Sequence, residues 1–252
     1  MMPVRRTSTG IPGLDHLIEG GFPADRAILV RGRPGTGKTI CGLQFLVEGL
    51  AAGEKGALVS VDEKPDHLIA NASHFGWDLQ GAIDSRNLAL LDASPYFTAT
   101  RRRGWGPSGV DARQLTADLI HQIRAIGAQR LVIDSLTSLV PMDMSRGDAH
   151  NYLRSLIQSF EDNFGCTCVL TWRVSSSDDP QGIGDAAEYL TSGVLDLNLT
   201  PAGRKLARTL VLRKMRGTNF EPAEYSLSID RERGLALGRS GEPATVREFV
   251  AI

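Results

Sequence analysis

The sequence predicts one three-layer α/β domain spanning residues 1–252, with a mostly parallel central sheet and an antiparallel C-terminal extension. Two observations on periodicity support this prediction. Between residues 27 and 171, short apolar runs alternate with stretches whose apolar side chains recur at helical spacing. That order is typical of parallel sheets covered by helices on both faces. From residue 195 onward the apolar period is two, which predicts consecutive antiparallel strands.

The individual elements follow from these periods and from the glycines and prolines between them. A lead-in at 7–23 contains a turn and a short amphipathic helix, which we expect to pack beside the glycine-rich loop that follows. Predicted strands are 27–31, 57–61, 88–91, 130–134, 166–171, 195–199, 206–213, 225–229 and 235–237. Predicted helices begin near residues 40, 66, 111 and 148. The stretch 93–109 has the composition of an exposed loop.

Composition limits the classes of protein to consider. A chain of 252 residues with 42% hydrophobic residues can build one large core. Its net charge of −1 gives no general attraction for nucleic acid or anionic membranes. No apolar run approaches the roughly 20 residues of a membrane helix, and the first residues do not resemble a signal peptide. We therefore expect no membrane association and a cytoplasmic location, with Cys41, Cys166 and Cys168 as buried free thiols.

Residues 32–39 read GRPGTGKT, which matches the phosphate-binding pattern G-x-x-x-x-G-K-[ST]. An apolar strand precedes this loop and a helical pattern follows it, whereas a flexible surface turn would need neither. Backbone N–H groups, the Lys38 ammonium and the helix N-terminus would together hold phosphates, and the Thr39 hydroxyl is a candidate magnesium ligand. The candidate nucleotide contacts are Gly32, Pro34, Gly35, Thr36, Gly37, Lys38, Thr39 and Ile40. The loop predicts binding of a nucleoside triphosphate.

Acidic residues end two of the predicted strands, where ligands of open α/β sheets bind. Asp134 follows four residues of an apolar strand and is the candidate partner of Thr39 in holding magnesium; the alternative is a capping aspartate. Asp62 and Glu63 end the strand that follows the loop helix, and either could polarise an attacking water. Since successive side chains of a strand point in opposite directions, we expect one of them to face the nucleotide and prefer Glu63. A structural role for both remains the alternative.

Hydrolysis also needs positive charge at the transferring phosphoryl group. Lys214 and Arg216 are two residues apart near the end of a predicted strand, so they can share one face. A solvated edge strand explains such residues equally well on sequence grounds. A second basic group, at residues 101–103 beside Trp105, is interpreted as a solvated loop face, with contact to nucleic acid or a partner protein as the alternative.

Five segments occur in one order that resembles RecA-type ATPases of the KaiC-like family, related to the circadian clock ATPase and to archaeal RadA-like proteins. They read TGIPGLDHLIEGGFP, GRPGTGKT, VDEKPDHLIANASHFGWDL, LVIDSLTSL and KMRGTNF, within residues 7–230. The resemblance implies a RecA-like P-loop fold, binding of ATP and Mg²⁺, and a ring-shaped, usually hexameric homo-oligomer with ATP at the subunit interfaces. It also implies that Asp62 and Glu63 are catalytic and that Lys214, Arg216 and Thr218 reach the neighbouring subunit's ATP.

The leading hypothesis is therefore an ATP hydrolase that acts as a nucleotide-driven regulatory switch, with a regulatory protein as a possible partner. One alternative is a RadA-like recombination ATPase that binds DNA, which the near-zero net charge and the acidic segment 141–148 disfavour. A further alternative is an ATP-dependent autokinase or an ATP-binding scaffold. Glu188 and Tyr189 stand where the clock ATPase carries adjacent Ser and Thr acceptors, and Phe220 replaces a histidine of that protein's first domain.

Overall fold

The computed structural model describes residues 4–94, 112–140, 145–174 and 183–238, and the side chains of 112–116 and 163–164 are not considered. The strands are β1 (Arg6–Thr7), β2 (Phe22–Pro23), β3 (Ala27–Gly32), β4 (Gly56–Ser60), β5 (Leu88–Asp92), β6 (Arg130–Asp134), β7 (Thr167–Arg173), β8 (Gly193–Ala202), β9 (Lys205–Met215), β10 (Glu224–Asp230) and β11 (Gly234–Leu237). The helices are α1 (Leu14–Leu17), α2 (Lys38–Ala51), α3 (Pro65–His74), α4 (Leu79–Asp84), α5 (Ala112–Ile126), α6 (Leu136–Leu139), α7 (Arg146–Phe164) and α8 (Ile183–Leu190).

The main sheet has nine strands in the order β11-β10-β9-β8-β3-β7-β6-β4-β5. All pairs from β8 to β5 are parallel. The pairs from β8 to β11 are antiparallel. A mostly parallel sheet with an antiparallel C-terminal extension is thus confirmed. Strands β1 and β2 form a separate two-stranded sheet that the sequence patterns did not indicate.

Two hydrophobic cores lie on opposite faces of this sheet, which confirms the three layers. In β3, Ile28 and Val30 belong to one core, with residues of α1 to α4. Ala27 and Leu29 belong to the other core, with residues of α5 to α8. The alternation along β3 is the expected consequence of successive side chains pointing to opposite faces of a strand.

Several element predictions need correction. Helix α7 begins at Arg146, two residues before the predicted start near Asp148, because the Ser145 hydroxyl accepts a hydrogen bond from the Asp148 N–H and caps the helix. Helices α4, α6 and α8 are too short for a periodic pattern and were not predicted. The loop with residues 101–103 and the first half of the acidic segment, residues 141–144, lie outside the described residues.

The lead-in does not pack as predicted. Its described hydrogen bonds with α2 involve the middle and second half of that helix, where the Gln44 side-chain amide donates to the Gly10 carbonyl at 2.6 Å and the Ser8 hydroxyl donates to Glu48 at 3.0 Å. The lead-in therefore supports the helix that follows the phosphate loop, one or more turns away from the loop itself.

The three cysteines are buried and free, as expected, and the Sγ atoms of Cys166 and Cys168 lie 3.7 Å apart. In the described ranges no helix is long and apolar enough to cross a membrane.

A buried arginine ties the lead-in to the sheet and to α2. The Arg130 side chain is 2% exposed and pairs with Glu54. It also donates to the carbonyl oxygens of Ser8 at 2.7 Å and Phe45 at 2.8 Å, and it lies 4.6 Å from the centre of the Phe45 ring. A side chain at Gly49 would collide with this guanidinium, so glycine at that position is explained by close approach rather than by backbone conformation.

We expect Arg130→Met to lower the free energy of unfolding by about 3 kcal/mol, since it leaves Glu54 and two buried carbonyl oxygens without their donor. Arg204, exposed in the turn between β8 and β9, provides the matched control. Arg204→Met should change stability by less than about 0.5 kcal/mol. Urea unfolding of both variants measures the difference, and equal stabilities would show that the Arg130 contacts contribute nothing.

Candidate functional site

The glycine-rich loop joins β3 to the N-terminus of α2. Gly35 and Gly37 have φ values of 82° and 108°, a region that favours glycine. Gly32 is needed for another reason, because a side chain there would collide with the Leu197 carbonyl of β8. The loop closes on itself where the Thr36 hydroxyl donates to the Arg33 carbonyl at 2.9 Å. The local sequence thus leads the backbone from a buried strand into a helix N-terminus, an arrangement suited to phosphate.

The structure brings Thr39 to Asp134 across 95 residues of sequence. The Thr39 hydroxyl donates to Asp134 Oδ2 at 2.6 Å. The Thr171 hydroxyl on β7 donates to the other carboxylate oxygen. Asp134 ends β6, and its peptide bond to Ser135 is cis. Two hydroxyl groups thus orient the Asp134 carboxylate beside the first turn of α2.

Lys38 is the first residue of α2. It lines a cavity that Thr39 and Asp134 also line. Its ammonium donates to the Arg33 carbonyl at 3.0 Å, so it is folded back on the loop. Partial burial lowers the pKa of Lys38 from its ordinary value, Asp134 opposes that shift, and the positive charge of Arg173 adds to it. The physical effect is a cation in a partly dehydrated pocket, where its attraction for phosphate is stronger than in water.

Asp62 and Glu63 both line the cavity, whereas strand alternation predicted that one of them would face the nucleotide. The reason is that β4 ends at Ser60, and strand alternation does not apply to the loop beyond it. The Asp62 carboxylate accepts hydrogen bonds from the Ser135 hydroxyl at 2.8 Å and the Ser138 hydroxyl at 2.7 Å. Glu63 Oε1 accepts one from the Asn71 side-chain amide at 2.8 Å. Asp62 is therefore held at both oxygens and Glu63 at one.

The cavity formed by these residues has a volume of about 640 Å³. Lys38 and the carboxylates of Asp62, Glu63 and Asp134 belong to its lining. Leu43, Phe75 and Ile229 add apolar side chains to the same lining. The Phe75 ring stacks on Trp77, with ring centres 4.9 Å apart. A cavity lined by both charged and apolar side chains suits a ligand that combines a phosphate group with a flat base.

Sequence reasoning missed two arginines in this cavity. Arg173 ends β7, and among the described residues its guanidinium has no ion-pair partner. The rule that ligands bind at the carboxyl ends of strands would have found it, had it been applied to basic as well as acidic residues. Arg208 lies inside β9 and reaches the Gly35 carbonyl at 3.4 Å. No local pattern indicates Arg208, because only the folded sheet places it beside the loop.

Lys214, Arg216 and Thr218 are not among the residues that line this cavity in the described part of the chain. Lys214 donates to the carbonyl oxygens of Glu188 at 2.8 Å and Tyr189 at 3.0 Å. Arg216 donates to the same Tyr189 carbonyl at 3.1 Å. The predicted common face of these two residues is thus observed.

Thr218 does not share the contacts of Lys214 and Arg216 with the end of α8. Its hydroxyl accepts a hydrogen bond from Arg6, directly before the lead-in, at 2.6 Å. None of residues 214–218 is thus among the residues that line the described cavity.

A glycine-rich loop at a helix N-terminus, facing an oriented carboxylate at the end of a nearby parallel strand, defines a P-loop nucleoside-triphosphate-binding protein. The order of the sheet, with its antiparallel C-terminal end, places it in the RecA-like group.

Comparisons with known proteins support this assignment to the RecA-like group of P-loop proteins. The family model described as "ATPase: KaiC" matches residues 7–242. The chain is similar to a UPF0273 protein of Pyrococcus horikoshii, with 35% identity over 237 residues that cover 89% of this chain and 91% of that protein. It is also similar to the circadian clock oscillator protein KaiC of Parathermosynechococcus lividus, with 33% identity over 231 residues, 91% of this chain and 42% of that protein.

Among solved structures, the crystal structure of a KaiC-like protein from Pyrococcus horikoshii is similar, with a TM-score of 0.79 and 30% sequence identity. The match covers 94% of this chain and all of that one (100%). The chain therefore belongs to the KaiC-like family of ATPases.

Proposed function

We propose that this protein binds and hydrolyses ATP and acts as a nucleotide-driven switch in a homo-oligomeric ring, with ATP held between subunits. The observation that carries the proposal is the 2.6 Å hydrogen bond between Thr39 and Asp134, which joins the phosphate loop to the second carboxylate motif. A hexamer in the cytoplasm is the form that we expect.

The donor set at this point fits Mg²⁺. The Thr39 hydroxyl and the Asp134 carboxylate are hard oxygen ligands, and Mg²⁺ commonly takes only one or two protein ligands beside phosphates and water. When bound with the nucleotide, the ion would neutralise charge on the β- and γ-phosphate oxygens.

Three residues of this chain would have separate roles in binding and hydrolysing the nucleotide. Lys38 would leave the Arg33 carbonyl and contact the outer phosphates. Glu63, with one carboxylate oxygen held by Asn71, would accept a proton from the attacking water. Asp62, held at both oxygens by Ser135 and Ser138, would position the loop that follows β4 rather than exchange a proton.

Positive charge for the transition state has two possible sources. Lys214 and Arg216 lie apart from the cavity of their own chain, which favours their contribution to the site of an adjacent subunit. Arg173 lies inside the cavity and would contribute within one subunit. We propose that the adjacent subunit supplies the main part, since Arg216 is exposed and available to a neighbour, and the corresponding experiment is described below.

The proposal is tested by measuring mass in solution with and without ATP and Mg²⁺, together with release of phosphate. We expect a ring stabilised by ATP and steady phosphate release from the parent chain. Lys38→Ala should weaken ATP binding about 10- to 100-fold, because it removes a charge-assisted contact to phosphate. An unchanged affinity in Lys38→Ala, or no phosphate release by the assembled parent, would contradict the proposed function.

A further inference from the structure

Helix α8 is connected to the phosphate loop of its own chain by a network of four charged side chains. Arg31, directly before the loop, pairs with Glu188 near the end of α8. Arg31 also faces Asp196 on β8, with Nε and Oδ1 3.2 Å apart. The second oxygen of Asp196 accepts a hydrogen bond from Arg213 on β9. Two carboxylates and two guanidinium groups thus balance in charge.

The inner part of this network, formed by Arg31 and Asp196, is largely shielded from water. The side chains of Arg31 and Asp196 are 18% and 9% exposed, and that of Glu188 is 31% exposed. Arg31 Nε and Asp196 Oδ1 are buried and close, but they are not aligned as a hydrogen bond. Arg31 therefore has its only aligned carboxylate contact, among described residues, with Glu188. Removing the negative charge of Glu188 would leave Arg31 without an aligned ionic partner on α8.

The end of α8 in turn holds the two basic residues that the proposed function assigns to the neighbouring site. A helix C-terminus leaves its last carbonyl oxygens without helical partners, and cations are favoured there. The Glu188 and Tyr189 carbonyls fill this need by accepting hydrogen bonds from Lys214 and Arg216. The backbone N–H of Arg216 is also fixed, since it donates to the Ser192 carbonyl at 2.8 Å.

We infer that Glu188 is a positioning residue for Lys214 and Arg216. Its side chain ties α8 to Arg31, and its backbone carbonyl, with that of Tyr189, sets where the two cations are presented to an adjacent subunit. The inference rests on the proposed function, because it assigns Glu188 to the half of the shared site that Lys214 and Arg216 would form. Glu188 itself is not expected to contact the nucleotide.

The direct test compares Glu188→Gln with Asp185→Asn in assembled protein supplied with ATP and Mg²⁺. Asp185 lies one turn earlier on α8, is exposed, and has no ion pair in the described structure, so it provides the same change of charge on the same helix. A misplacement of about 1 Å can reduce a rate about 100-fold. We therefore expect Glu188→Gln to lower kcat about 10- to 100-fold with KM near the parental value, and Asp185→Asn to leave both unchanged.

Mixing experiments show which half of the site Glu188 serves. Glu188→Gln mixed with Glu63→Gln should recover activity, because some interfaces then combine an intact Glu63 with correctly placed cations. Glu188→Gln mixed with Arg216→Ala should stay slow, since both chains are impaired in the same half. The opposite pattern would overturn the inference and assign Glu188 to its own phosphate loop.

Two further outcomes separate this inference from the proposed function. Parental kcat in Glu188→Gln, with Arg216→Ala slow, would overturn the positioning role alone. A parental rate in Arg216→Ala would instead contradict the shared site. Glu188→Asp keeps the charge on a shorter side chain. It should show a smaller loss of kcat than Glu188→Gln and the same pattern of recovery in the mixing experiments, so the inference can be tested even if the glutamine variant is unstable.

Discussion

Glu63→Gln is expected to bind ATP as the parent does and to hydrolyse it about 10²- to 10⁴-fold more slowly, the contribution typical of a general base. The substitution suits the structure because a glutamine Oε1 still accepts the hydrogen bond that Asn71 donates to Glu63. The geometry of the cavity is then preserved, and the loss is confined to the ability to take a proton. Phosphate release and equilibrium binding of ATP on the same preparation measure the two effects.

Asp62→Asn is the matched control for this assignment. Asp62 accepts hydrogen bonds at both oxygens, so its amide variant should disturb the serine contacts and lower the rate much less than Glu63→Gln does. If Glu63→Gln works at the parental rate while Asp62→Asn is inactive, the base has been assigned to the wrong carboxylate.

Arg216→Ala is expected to retain ATP binding and to lose turnover by about 10³- to 10⁵-fold if it supplies the main charge at the transferring phosphoryl group. In its own chain Arg216 donates to the Tyr189 carbonyl and lies apart from the phosphate loop. The loss should therefore appear only in the assembled protein, and ATP-dependent assembly should weaken as well. Arg173→Ala is the comparison, because it removes a cation from within the cavity.

A mixture of two inactive proteins tests the shared site. When Glu63→Gln and Arg216→Ala chains mix at random in a head-to-tail ring, about one interface in four pairs an intact Glu63 with an intact Arg216. Activity should partly return. Mixed rings that form but stay inactive would show that the two residues do not meet across an interface, and a fully active dilute monomer would show the same. If Arg173→Ala is far slower than Arg216→Ala, the charge comes from within one subunit.

Some parts of the site are encoded in short stretches of sequence and were predicted from them. The phosphate loop needs eight consecutive residues between a buried strand and a helix, and the structure has it in that place. Asp134 was recognised because four buried residues precede it on β6. In both cases the signal is local, since backbone conformation and strand burial are determined largely by neighbouring residues.

Other parts depended on distant segments. Asp62 and Glu63 both line the cavity because β4 ends at Ser60, one residue before the predicted end of the strand, and both residues lie in the loop beyond it. The lead-in packs on α2 rather than on the loop, because Gln44 is satisfied by the backbone of Gly10 and of Leu235 on β11. The hydrogen-bond partners of a buried amide such as that of Gln44 come from distant segments, so they are in place only in the folded sheet.

The sequence by itself determined the class of fold, the phosphate loop and the carboxylate opposite it, since periodicity and glycine placement specify elements and their ends. Tertiary structure alone decided which side chains meet. Strand β3 lies between β7 and β8, and this order brings Arg31 beside Asp196 and Glu188. Parallel strands are joined by crossovers that local patterns do not order, so contacts across the sheet are a property of the assembled layers.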